Sequence, residues 1–168
     1  STVDELLDAC PGRRRFCEHC HDPAFSGSGR SAAIGISALI AYRHNNRYLA
    51  LLRARSSRVA AHPNRHHVIP SGMFTAETEN CQDEFSVRHS FYREYQEELF
   101  EDRDLGHPSG QLTHDWFYSR QQLRYLMELL ADKRAALYLS GYSIDLTNYR
   151  PEILLLLIIN EPEWTHQR

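Results

Sequence analysis

The stretch Val87 to Phe100, "VRHSFYREYQEELF", constrains this chain more than any other. Val87, Phe91, Tyr95 and Leu99 recur at spacing four, the mark of an amphipathic helix about fourteen residues long, and Ser86 stands where an N-cap belongs. Glu94, Glu97 and Glu98 are related by i, i+3 and i+4, so their side chains converge within about a turn on another face of that helix. Converging carboxylates repel and need a compensating cation. Arg93 can bond Glu97 four residues on, but no basic i+4 partner follows it, and Glu101 and Asp102 continue the acidic run into the C-terminal end, where the helix dipole disfavours negative charge. A solvated acidic stripe is one reading of this face. A site for Mg²⁺ or Mn²⁺, hard ions that prefer oxygen and keep waters for a phosphate to displace, is the other.

Around this helix the pattern is that of one α/β domain. At 168 residues the chain can bury a core without disulfide staples. Residues 1–31 form an N-terminal segment with a short helix-like opening, a cysteine cluster and a Gly/Ser-rich linker, "FSGSGRS"; residues 32–168 form the packed domain. "IGISALIAYR" and "RYLALLRAR", joined by "HNN", predict a β-hairpin, and "HHVIPSGMF" a short strand ending at Pro70-Ser71-Gly72. "TAETENCQDE" is a polar loop without periodicity. "SRQQLRYLMELLADKR" predicts a second amphipathic helix, and "AALYLSGYSIDL" and "EILLLLII" two more strands. The order predicts a mixed sheet covered by helices.

Composition excludes several classes. The net charge of −3 offers no broad basic field for nucleic acid, and the "GRRR" run at Gly12 to Arg15 is a solvated patch on an acidic chain. The longest apolar run is strand-sized, too short for a bilayer, and the opening residues lack the features of an export signal, so a cytoplasmic protein is expected. Ser1 in place of a methionine suggests a trimmed or excised piece. Cys10, Cys17 and Cys20 supply part of a structural zinc set, but no second matching pair follows, and free thiols are the expected state. Lys133 is the only lysine among the cations, a bias towards arginine that points to a biased genome more readily than to a function and that would not harm a phosphate-handling site. His62, His66 and His67 read as polar loop residues, since strand alternation sends the last two to opposite faces.

Arg93-Glu94-Tyr95-Gln96-Glu97-Glu98 resembles the Arg-Glu-U-x-Glu-Glu core of the Nudix box, whose full pattern is Gly-x5-Glu-x7-Arg-Glu-U-x-Glu-Glu-x-Gly-U with U aliphatic. Gly72 follows a strand as that family's opening glycine does, and the hairpin with arginines at its end is similar to the family's early strands. The likeness runs from about Ile34 to Ile159. It departs in the longer stretch between Gly72 and Arg93, where Glu77 and Glu84 are candidates for the middle glutamate and Phe85 stands at the counted position. Phe100 replaces the late glycine, and only "NEPEWTHQR" follows the last strand. The resemblance implies a Nudix-like α/β/α sandwich with a mixed β-sheet. It implies a hydrolase that cleaves a diphosphate bond in a nucleoside diphosphate linked to another group, with Glu94, Glu97 and Glu98 holding Mg²⁺ (or Mn²⁺). One of these glutamates, or an acid from a neighbouring loop, would act as general base and Arg93 would orient the carboxylates, while Arg53, Arg55 or Arg65 would bind the outer phosphate. Apart from the resemblance, Arg150 or Glu152 in "NYRPEI", at the mouth of the last strand, could touch substrate, and a turn ending in a strand-opening proline explains that stretch as well. The alternative is a Nudix-like module that binds a nucleotide without turnover as a sensor or interaction domain, with room for a partner domain.

Overall fold

A computed structural model describes residues 14–15, 33–54, 66–76, 78–79, 81–100, 113–145 and 150–167. Arg55, Arg65, Glu77, Cys10, Cys17 and Cys20 lie outside the described residues, so the expectations placed on them stay expectations.

The fold is mixed α/β, built on a sheet of mixed orientation. Strand β1 (Gly35–His44) turns through Asn45 and Asn46 into β2 (Arg47–Ala54). Both asparagines have positive φ, 46° and 61°, the left-handed pair that a tight two-residue hairpin requires and that asparagine tolerates. The next extended stretch divides its pairing. Its first part, β3 (His66–Val68), pairs with β2; after Ile69 and Pro70, joined by a cis peptide, its second part, β4 (Ser71–Met73), pairs with β1. Thus β1 pairs with β2 along Ile40–His44 and with β4 along Gly35–Ser37, and the two partners part company between these stretches. Strand β5 (Ala135–Asp145) returns antiparallel onto β6 (Arg150–Ile159), and β6 lies parallel to β1, giving the order β3-β2-β1-β6-β5 with β4 beside β1.

The helices are α1 (Cys81–Glu84), a single turn in the polar loop, α2 (Val87–Phe100) and α3 (Gln121–Ala131), with 3₁₀ turns at Trp116–Ser119 and Pro162–Gln167. The Ser86 hydroxyl accepts from the His89 N–H at 3.4 Å, the N-cap geometry its position predicts. Helices α2 and α3 touch each other and the same side of the sheet. Ile36, Ala38 and Ile40 of β1 and Leu155, Leu157 and Ile159 of β6 alternate onto that side. There they meet Phe91, Tyr95 and Leu99 of α2 and Leu123, Leu126 and Leu129 of α3. Trp164 closes the cluster, its indole N–H donating to the Tyr95 hydroxyl at 3.0 Å. Among the described residues both longer helices lie on one face.

Helix α2 departs from the one-sided amphipathic helix of the sequence. From His89 to Gln96 it is buried all round, with Arg93 2%, Glu94 8% and Gln96 0% exposed. The cause is crowding: sheet, α3, the Trp116–Ser119 turn and β4 all lean on it. His89 donates its Nε2–H to the His114 carbonyl at 2.7 Å and packs edge-on against Phe117, which ties the start of the helix to that turn.

Candidate functional site

Arg93 is the centre of the arrangement. Its guanidinium donates to the Thr75 carbonyl at 2.9 Å, to the Met73 carbonyl at 2.9 Å and to Glu94 Oε1 at 3.1 Å. An arginine so deeply buried needs each of these acceptors, and its planar fork can serve all three at once where a lysine could not. The side chain therefore ties the end of β4 to the middle of α2 and fixes the Glu94 carboxylate beside it.

Glu94 lies directly over Gly72. A Cβ at position 72 would overlap the Glu94 carboxyl group, so the glycine is required by close approach, and any side chain there would displace the acid. One turn further along α2, Glu98 accepts the Ser71 N–H at 2.8 Å. Two carboxylates four residues apart are thus both brought onto the three-residue strand Ser71–Met73. Arg53, on β2 near the point where β1 parts from it, reaches Glu98 at 3.5 Å with its own side chain about half exposed. Glu97 lies between them in sequence and is half-buried.

The reading of this face as a solvated stripe fails at Glu94, which is buried and ion-paired, and holds at most for the half-buried Glu97 and Glu98. Arg93, Glu94, Glu98 and Arg53 come together as a group. Glu152 does not join them. It accepts from the Ser37 hydroxyl, and strand alternation sets Ser37 and Glu152 on the face opposite Ile36 and Gly72. Arg150 shares that face, its guanidinium against Gly35 and 3.4 Å from the Met73 sulfur. Glu84 is buried in α1 and accepts from both the N–H and the hydroxyl of Thr78, closing the loop that lengthens the spacing between Gly72 and Arg93. Phe85 is exposed and meets Phe74 edge-on. The His67 ring nitrogen lies 3.3 Å from the Ser71 hydroxyl, beside the Glu98 contact.

Among the described residues no three His, Cys, Asp or Glu side chains are gathered as a ready metal cage. The donor set at Ser71–Met73 is nevertheless all carboxylate oxygen, the donor type that hard ions such as Mg²⁺ or Mn²⁺ prefer, and Glu94 and Glu98 already face one short strand. Glu94 and Glu98 are oxygen donors of the kind such an ion takes, and Arg53, half exposed, reaches Glu98 from the edge of the group. Sequence reasoning reached these glutamates but missed the Ser71 N–H, for which a lone serine in a strand gives no signal. Among the described residues no helix is long and apolar enough to cross a membrane. Compared with family models, with curated proteins and with solved structures, the chain has no match.

Proposed function

We propose that this chain is a Nudix-like, Mg²⁺-dependent hydrolase that cleaves a diphosphate bond in a nucleoside diphosphate linked to another group. The observation that carries the reading is the gathering of Glu94 and Glu98 onto Ser71–Met73, with Arg93 bridging strand and helix beneath them. That arrangement gives a physical reason for an arginine, a glycine and carboxylates at these positions of one chain.

Glu94 and Glu98, with Glu97 beside them, would hold the ion. When bound, Mg²⁺ supplies neutralisation of phosphate oxygens and acidification of a water. Arg93 keeps Glu94 from rotating away. Glu97 or Glu98 takes the proton of the attacking water as its oxygen bonds to phosphorus; the bridging P–O bond breaks and leaves two phosphate-bearing products. Arg53, half exposed at the edge of the group, exchanges its contact with Glu98 for the outer phosphate of the substrate.

The test is phosphate or nucleotide release from a panel of nucleoside diphosphate compounds with Mg²⁺, comparing the intact chain with Glu97→Gln/Glu98→Gln. Turnover should fall by about 10²-fold or more in the double variant. Turnover that survives the two changes refutes the assignment. One observation favours the second reading, a module that binds a nucleotide without turnover: Glu94 and Glu98 are each already paired with an arginine of the chain. On that reading the panel yields no turnover, and a nucleotide ligand stays bound when both glutamates are changed to glutamine.

A further inference from the structure

A second site lies at the other end of α2. Between the first turn of α2, the end of α3 and the start of β5 is a pocket of about 720 Å³, within the size range of small-molecule sites. Its apolar surface comes from Leu130, Ala135 and Leu137, and its cations are Arg88 and Lys133. Neither cation makes a side-chain hydrogen bond or ion pair with another described residue. The nearby acids Asp132 and Glu161 are both taken up by Arg134, which leaves the charge of the pocket positive.

Two further features point to a ligand. Tyr92 also lines the pocket; its ring is buried, while its hydroxyl, which has no hydrogen-bond partner among the described residues, is reached by solvent and so is open to a ligand. Lys133 is held in the left-handed region, φ 59°, a conformation that costs a non-glycine residue backbone energy and that glycine would fill at this helix end without it. The negative end of α3 does not oppose an anion strongly, since Glu128, Leu129 and Leu130 carbonyls accept from the N–H groups of residues 132–134.

From this pocket we infer a binding site for a small organic anion, its carboxylate or phosphate head between Arg88 and Lys133 with the Tyr92 hydroxyl donating to it, and its apolar ring or chain on Leu130, Ala135 and Leu137. Arg88 precedes Glu98 by ten residues of one helix, about 15 Å, so the site is separate from the glutamates and does not depend on the hydrolase reading.

The experiment is a titration of the ¹⁵N-labelled full chain with 1-naphthyl phosphate and with 2-naphthoate, in EDTA so that no metal-phosphate binding at the glutamates contributes. Saturable amide shifts are expected at residues 88, 92 and 130–138 with at least one of the two anions, and the tighter of the two assigns the head group. Neutral 1-naphthol should bind about tenfold or more weakly, and Arg88→Gln/Lys133→Gln should lower the anion's affinity by at least as much. Lys133→Gly separates binding from folding, because it should raise the urea midpoint while weakening the anion. Equal affinity for naphthol, an unchanged affinity in the double variant, or shifts that map elsewhere would overturn the assignment.

Discussion

Replacing Arg93 by methionine removes a buried charge while keeping much of the volume, and its cost follows from the three bonds the guanidinium makes. The Thr75 carbonyl belongs to an exposed residue and regains water, so its loss counts for little. The Met73 carbonyl and the Glu94 carboxylate are less able to do so, and Glu94 has a side chain only 11% exposed. Hydrogen bonds from a charged donor contribute about 1.5–3 kcal/mol each, and removing one partner of a buried ion pair costs about 3–5 kcal/mol. These terms describe overlapping losses at one site and do not add, which places Arg93→Met at ~3–5 kcal/mol. For a chain of 168 residues this corresponds to a fall in Tm of about 6–20 °C. Urea denaturation followed by circular dichroism measures it directly. Arg93→Lys, which keeps the charge but cannot reach strand and helix together, should fall between methionine and the intact chain. A loss under about 1 kcal/mol for Arg93→Met would refute the tether, and with it the reason that Glu94 stands where it does.

Three other perturbations probe different parts of the account. Gly72→Ala puts a methyl group into the Glu94 carboxyl and should lower Mn²⁺ affinity by about tenfold or more, read by titration; unchanged affinity would mean that Glu94 is not a ligand. Trp164→Ala empties a position 1% exposed and should cost ~3–5 kcal/mol, whereas Trp164→Phe loses chiefly the bond to Tyr95, about 1 kcal/mol; equal urea midpoints for the two variants would contradict this division. Burial raises the Tyr92 and Tyr118 phenols above the ordinary value of 10.0, so the folded state favours their protonated forms. Their contribution to stability is whole below about pH 10 and is lost as pH rises through the raised values; Tyr92→Phe should flatten that alkaline decline, and an identical decline in the variant would show that Tyr92 plays no part in it.

Local signals in the sequence account for much of this fold. Ser86 and the four-residue spacing that begins at Val87 delimit α2, because a cap and an apolar seam are both encoded within the helix itself. Asn45 and Asn46 mark the hairpin for an equally local reason. What stayed hidden depends on distant partners. Nothing near Gln96 announces that it is fully buried, since its surroundings come from other elements. The parallel pairing of β1 with β6 joins segments more than a hundred residues apart, and "EILLLLII" is apolar on both faces, so its alternation could not assign Glu152 to a side. The transfer of pairing from β2 to β1 within "HHVIPSGMF" brings Ser71 and Gly72 to the glutamates; sequence reading found the glycine by its place after a strand, but not the change of neighbour that gives the glycine its role. The pocket beside Lys133 was equally hidden, because that lysine registers in the sequence only as a compositional oddity.

The central claim is that Glu94 and Glu98 together hold a hard divalent cation. Electron paramagnetic resonance of Mn²⁺ titrated into the full chain tests it without any assumption about substrate. The account predicts one Mn²⁺ site per chain, emptied by excess Mg²⁺ and weakened by about tenfold or more in each of Glu94→Gln and Glu98→Gln. Mn²⁺ that fails to bind, or binds equally well to both variants, would contradict it.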